Sequence, residues 1–359
     1  VNTAYANLLS EFIEQARKAE PEGDSKAGAR AAREWFYRVD PAAIITAFSH
    51  ERDGLLELED FAALRTAFET TASVTFADVT VHKCGPWSQG PVFLQLLRLL
   101  EGFDLKGMGH NSAQYLHTWL EAAKLAYADR EQYYADPHQV DVPLNTLLSP
   151  AYATLRRGLI SDEASFALRP GNAWEAEALL APDKVFPQDA WGYGTVHVAA
   201  ADQWGNLAAF TPSGGWIMGN DVIPELGFPL TSRVQTMYLD ERHPNCLAPR
   251  KQPRTTLSPS LVMRGGKPWM AFGTMGGDQQ DQWTSQFLLN MVTFSMSLQE
   301  AIEAPKVTSL HFPGTFHPHD ASPGVVKVEG RIPENVCDGL RAKGHHVDQV
   351  SGWEHGFLC

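Results

Sequence analysis

Gly194-Thr195-Val196-His197-Val198-Ala199-Ala200-Ala201-Asp202-Gln203-Trp204-Gly205-Asn206-Leu207-Ala208-Ala209-Phe210-Thr211 is the stretch on which the fold turns. Thr195 to Ala200 reads as a short strand, Asp202 to Asn206 as a turn and Leu207 to Thr211 as the returning strand, a β-hairpin by composition and spacing. Thr195 opens it directly after a glycine. A threonine hydroxyl is a poor nucleophile unless a base sits beside it, and the residue's own α-amine supplies that base once the chain is cut before it.

Upstream the texture is different. From residue 1 to about 180 the sequence reads as mainly helical, with apolar residues at three and four residue spacing. Ser112 is a good N-cap for a stripe of Tyr115, Leu116, Trp119, Leu120, Ala123 and Tyr127. Pro91 starts a more hydrophobic helix through Leu100 that Gly102 can close. Residues 20 to 29 read as a loop, and Pro170 to Pro187 as a polar connector that gives the best boundary. Downstream a second hairpin is expected at Ser260–Met263 and Trp269–Phe272 around Gly265-Gly266-Lys267. Helices follow at about 280 to 296, after the capping-box pair Ser297 and Glu300, and from Pro333 to Gly344. Paired strands with helices after them predict an α+β protein, a sheet pair covered by helices.

Composition removes several function classes. The 359 residues carry 29 Lys plus Arg against 42 Asp plus Glu, a net charge of −13, which repels nucleic-acid backbones and anionic membranes. No apolar run reaches the length of a membrane span, and no lipidation signal is present. Val1-Asn2-Thr3 has no basic leader region, and a cytoplasmic location is the expectation. Cys84, Cys246, Cys337 and Cys359 lack the spacing of a zinc ribbon or a disulfide framework. A nucleophile elbow, a phosphate-binding loop and a zincin helix are all missing. The His-rich run from His311 to Asp320 is broken by prolines that stop any helix from aligning ligands, so no metal is expected there.

Beyond the hairpin, several separated motifs fall in one order. Gly85-Pro86-Trp87-Ser88-Gln89-Gly90-Pro91 precedes Leu100-Glu101-Gly102-Phe103-Asp104-Leu105, and Gly109-His110-Asn111-Ser112 leads to Ala126-Tyr127-Ala128-Asp129-Arg130. After Thr195-Val196-His197 and the turn at Asp202 come Pro253-Arg254-Thr255-Thr256-Leu257-Ser258-Pro259 and Gly273-Thr274-Met275-Gly276-Gly277-Asp278. In these motifs, from about residue 55 to 350, the chain resembles the γ-glutamyltransferase family of N-terminal-nucleophile hydrolases, which cut themselves before a threonine. The resemblance implies a four-layer αββα sandwich, with a helical large-subunit part at 1–194 and a strand-rich small-subunit part at 195–359. It makes Gly194-Thr195 the cleavage site and Thr195 the nucleophile. Ser213 matches the hydroxyl that bonds the nucleophile's amine, and Gly276 and Gly277 match the oxyanion-hole pair. Thr255 and Thr256 replace the paired serines that contact the substrate carboxylate, and Thr211 joins them in the substrate-binding set.

Two departures bear on specificity. Gly215 stands where the family has an asparagine, and Leu230-Thr231-Ser232-Arg233-Val234-Gln235-Thr236 replaces the acidic segment that holds the glutamyl ammonium. A desolvated ammonium needs a carboxylate partner and finds none here, whereas Arg233 suits a carboxylate. The segments around Thr211 and Gly277 are similar to the subgroup that includes oxamate amidohydrolase. The leading expectation is hydrolysis of a small amide bearing a carboxylate, such as oxamate, without a cofactor. The alternatives are γ-glutamyl transfer or glutathione hydrolysis, and an uncut, inactive member acting as a binding protein. The expected partners are the small-molecule amide and the chain's own two subunits, with homo-oligomerisation left open. The resemblance also implies further segments before Val1 and after Cys359, so the chain reads as a fragment.

Overall fold

The computed structural model describes residues 2–20, 24–173, 195–214 and 219–355. In chain order these form α1 (Thr3–Lys18), α2 (Ser25–Arg38), α3 (Asp40–His50), α4 (Leu58–Ala63), β1 (Ala72–Phe76), β2 (Val79–Lys83), α5 (Gly90–Leu100), α6 (Leu105–Met108) and α7 (Ala113–Tyr133). Next come α8 (Leu144–Leu147), α9 (Pro150–Arg157), β3 (Val198–Ala201), β4 (Leu207–Phe210), β5 (Val222–Ile223), β6 (Phe228–Pro229), β7 (Ser260–Arg264) and β8 (Lys267–Phe272). The last are α10 (Gln279–Val292), α11 (Leu298–Glu303), β9 (Val307–Ser309), β10 (Val325–Glu329), α12 (Glu334–Ala342) and β11 (His346–Val350). No helix among the described residues is long and apolar enough to cross a membrane.

The chain forms two compact units, residues 1–69 with 214–232, and residues 70–213 with 233–359. In the smaller unit, α1 to α4 and the short β5–β6 pair surround Leu8, Trp35, Ile45, Phe48, Ile223 and Leu226. Asn2 and Asp24 cap α1 and α2, each accepting a backbone N–H in the first turn.

The larger unit is built on an antiparallel sheet of order β1-β2-β7-β8. Ala72, Val74, Phe76, Val79 and Val81 alternate onto its buried face. Against β1 and β2 lies α5, in which Val92, Phe93, Leu94, Leu96, Leu97, Leu99 and Leu100 are all buried, because α7, α9 and α10 enclose its other sides. A separate three-stranded sheet of order β11-β10-β9 contains a parallel β10–β11 pair, reached by the crossover through α12.

The expected α+β class holds, and both predicted hairpins form. In β3–β4, Val198 pairs with Phe210 and Ala201 with Leu207, while Asp202 accepts the Trp204 and Asn206 N–H groups in the turn. The hairpin packs against β7 and β8, and its outward side is open, with Val198 54% and Phe210 64% exposed. The reciprocal Ser297–Glu300 cap starts α11 as predicted.

The reading of the first half needs two corrections: residues 20–29 are not a loop throughout, since α2 begins at Ser25 behind the Asp24 cap, and a strand pair interrupts the helices. Residues 72–83 form the β1–β2 hairpin, turning at Ala77 with φ of 50°. Because β1 and β2 precede Thr195 while β7 and β8 follow it, the two parts expected from cleavage share one sheet.

Candidate functional site

The chemistry-bearing motifs gather where strands of the larger unit end. β3 and β4 are antiparallel, so Thr195 before one and Ser213 after the other meet: Thr195 Oγ1 donates to Ser213 Oγ at 3.1 Å. The Val196 N–H adds a backbone bond to Pro212 O at 3.3 Å. One pair further in, His197 Nδ1 lies 2.8 Å from Thr211 Oγ1. The same imidazole abuts the exit of β8, since a Cβ added at Gly273 would sit 2.3 Å from His197 Nδ1. Burial first, and then the Lys83 charge, hold His197 below its usual 6.5, so it is neutral at pH 7.

The chain leaving β8 makes the turn Gly276-Gly277, with φ of 122° and 57°. A Cβ on Gly276 would also lie 2.6 Å from Trp283, so both backbone angle and space require glycine. Asp278 then directly precedes α10 and, rather than capping it, is gripped from several sides. Its carboxylate accepts from Arg130 and from the Thr315 N–H at 2.9 Å, while its carbonyl accepts from Tyr127 Oη at 2.5 Å.

Two other strand ends complete the cluster. The loop after β2 pairs with the segment before β7: Thr255 N–H donates to Trp87 O and Gln89 N–H to Thr255 O, each at 2.9 Å. Gln89 Nε2 reaches Gly277 O at 3.1 Å. Beneath them Lys83 Nζ, fully buried, bonds Ser258 O, Ser260 Oγ and Asp281 Oδ1 at 2.8–2.9 Å. Burial pushes the Lys83 pKa down and that of Asp281 up, each opposed by the partner's charge.

Arg233 starts a 3-10 turn, Arg233–Thr236, with its guanidinium 5.7 Å from the Phe316 ring centroid. Burial lowers its pKa to about 10, still cationic at pH 7. Asn245 holds the end of this turn, donating to Thr236 O at 2.6 Å and accepting from the Arg254 N–H at 3.0 Å. The turn and the Thr255 segment are thereby tied together. The Thr255 hydroxyl accepts from the Leu257 N–H at 3.2 Å, and Thr256 is buried. Gly194 and Gly215 lie outside the described residues.

Sequence reasoning assigned no role to Gln89, Asp278 or the charges of α7. Arg130 and Glu131 sit on a helix buried nearly all round, and Arg254 enters the same cluster, its Nη2 2.8 Å from Glu131 Oε1. Burial opposes the Glu131 carboxylate, but Arg254 and Arg130 outweigh it and hold its pKa well below 4.5. The sequence carried no clear signal, since Gln114, His117, Glu121, Lys124 and Glu131 recur as a solvent face would and it is the fold that buries all but Gln114.

His117, Glu121 and His345 form a buried group with metal-ligand composition. Its carboxylate is already taken, by Lys124 Nζ at 2.6 Å and Arg169 Nη2 at 2.9 Å, while His117 bonds His345 at 2.9 Å and Ser161 O at 2.8 Å. A dication added beside Lys124 and Arg169 would meet two cations against one carboxylate, so the group is a hydrogen-bonded tie between α7 and the chain after α12. In the His-rich run, His311 bonds Ala167 O, and His319 bonds Gly314 O and Met237 O.

The imidazoles of this region give a pH prediction. Burial first, then nearby Lys124, lowers His311 and His345 from 6.5 to about 3. The unfolded chain therefore binds protons near pH 6.5 that the folded chain refuses until about pH 3. Stability is full above 6.5 and falls as pH drops toward 3, by about 1.4 kcal/mol per pH unit for each such proton. Urea midpoints at pH 7 and pH 5 check this, and equal midpoints would contradict it.

Comparison with known proteins gives consistent matches. The sequence model of the family described as Gamma-glutamyltranspeptidase matches residues 25–357. The solved structure of LmbA2991HD is 40% identical with a TM-score of 0.92, covering 100% of this chain and 64% of that one. The cephalosporin acylase from Bacillus halodurans is 26% identical with a TM-score of 0.75, covering 97% of this chain and 63% of that one. Among curated relatives, the glutathione hydrolase-like YwrD proenzyme of Bacillus subtilis (strain 168) is 29% identical over 327 residues, 91% of this chain and 58% of its own length. The chain thus spans less than two thirds of the length of each of these relatives.

Proposed function

The chain belongs to the gamma-glutamyltranspeptidase family, and from that premise we propose that it is a self-processing amidohydrolase or acyl transferase with Thr195 as its N-terminal nucleophile. The observation that carries the reading is the 3.1 Å contact of Thr195 Oγ1 with Ser213 Oγ, at the end of the hairpin whose His197 abuts the exit of β8. Cleavage before Thr195 frees its amine. That amine takes the hydroxyl proton as Oγ1 attacks the amide carbonyl, and Ser213 orients the pair. The Gly276 and Gly277 N–H groups stabilise the negative charge on the carbonyl oxygen. The leaving amine takes the proton, and water then releases the acyl group and restores the threonine.

The substrate class follows from Arg233, a half-buried cation on a turn anchored beside Thr255. A guanidinium in that place favours a carboxylate on the acyl side, as in oxamate, and disfavours the ammonium of a γ-glutamyl group. Thr211, Thr255 and Thr256 are the neighbouring substrate-binding candidates.

Turnover of oxamate and related carboxylate-bearing amides, set beside glutathione, tests this. The expectation is a higher kcat/KM for the carboxylate amides, and an Arg233→Ala variant whose loss, about 10- to 100-fold, falls mainly on KM. Glutathione preferred by the unmodified protein, or Arg233→Ala without effect on the amides, would replace this reading by glutathione hydrolysis.

A further inference from the structure

A pair of adjacent glycines is a poor anchor for a catalytic dipole. Without side chains, the peptide planes at Gly276 and Gly277 rotate at little cost unless something outside holds them. The structure supplies that hold. The plane carrying the Gly277 N–H ends in the Gly276 carbonyl, which accepts from the Gln279 N–H at 3.0 Å in the first turn of α10. The next plane ends in the Gly277 carbonyl, which accepts from the Gln280 N–H at 3.2 Å and, from across the sheet, from Gln89 Nε2 at 3.1 Å.

We propose that Gln89 is a positioning residue for the oxyanion-binding turn, fixing Gly277 through a side-chain amide whose direction Arg130 dictates. This rests on the reading of Gly276-Gly277 given above. Arg130 has donors only, so the Gln89 atom 3.2 Å from Arg130 Nη1 must be the carbonyl Oε1, which leaves Nε2 for Gly277. Arg130 is itself locked, with its side chain fully buried, its Nε 2.7 Å from Glu131 and its Nη2 2.7 Å from Pro313 O. The backbone of Gln89 is pinned to Thr255 O. One buried glutamine thus joins the Thr255 segment, the α7 arginine and the glycine turn.

The test is a conservative inversion. Gln89→Glu keeps the shape and the acceptor toward Arg130, but turns the donor facing the Gly277 carbonyl into a second acceptor. Both proteins are followed by intact mass for cleavage before Thr195, by kcat and KM on the best amide, and by melting temperature. The expected result is a kcat about 10- to 100-fold lower, with KM within about threefold and a melting temperature close to that of the unmodified protein. Gln89→Met, which lacks both polar atoms, is expected to lose kcat to a similar extent. Full kcat in Gln89→Glu, or a defect confined to KM or explained by melting, overturns the proposal while leaving the nucleophile reading intact. Should the unmodified protein remain uncut and inactive, both fall together.

Discussion

Thr195→Ala is expected to leave a single uncut chain and to lower amide turnover by about 10⁴-fold or more, the loss that follows when a covalent nucleophile is removed from an otherwise intact site. On the proposed mechanism one atom is responsible for both effects, because the hydroxyl that attacks substrate would also attack the Gly194 carbonyl during processing. Folding should survive. Thr195 is half-buried and its side-chain contact is the hydroxyl bond to Ser213, worth about 1 kcal/mol. Thr195→Ser retains an Oγ and is expected to cut and turn over, more slowly. Ser213→Ala retains the nucleophile and loses the group that orients it, with an effect between the two. Intact mass and N-terminal sequencing after incubation read the cleavage, and size exclusion reads the association of the products. Since β2 pairs with β7 through Val79–Arg264 and Val81–Val262, the cut parts should elute together. A cleaved Thr195→Ala chain would remove Thr195 as nucleophile. A folded, unmodified protein that never cuts would put the binding-protein alternative first.

What the sequence disclosed was whatever chemistry is local. The turn at Asp202 to Asn206, the cap at Ser297 and the break at Gly344 each involve residues within five positions of one another, so their pattern is complete in a short window. The β1–β2 hairpin was also written locally, in the alternation of Ala72, Val74 and Phe76. Its strands are five residues each and lie between helical stretches, where a period of two is easily overrun by a period of 3.6. The family motifs pointed to Thr195, Ser213 and the glycine pair as parts of one site, and the fold brings Thr195 to Ser213. Gln89 and Asp278 were not legible because their partners are remote: Gln89 meets Gly277 across 188 positions, and Asp278 meets Arg130 across 148. No periodicity encodes such a pairing. The run Asp129-Arg130-Glu131 reads in the sequence as the charged end of an amphipathic helix, and the fold turns it into an internal ion network.

That network sets the second large effect. Arg130→Met is expected to cost about 3–5 kcal/mol of folding stability, the usual penalty for stranding buried carboxylates by removing their cation. The side chain is fully buried, lies 4.7 Å from the Tyr127 ring and 5.4 Å from Phe312, and pairs with Glu131 and Asp278 at once. Burial alone would lower its pKa, but those two carboxylates outweigh it and raise it. Arg130→Lys preserves the charge without the planar fork, so it should recover part of the loss and no more. The sharper expectation concerns the pair. Glu131 keeps Arg254 when Arg130 is lost, whereas the Asp278 carboxylate keeps the neutral N–H and hydroxyl donors of Thr315. Removing the second charge as well, in Arg130→Met with Asp278→Asn, should therefore cost less than the sum of the single variants, by about 1–3 kcal/mol. Urea denaturation of the four proteins, with m-values compared, measures that coupling. Additive losses would mean that the Asp278 carboxylate is held by Thr315 rather than by charge. Arg130 would then act on the glycine turn through Gln89 alone.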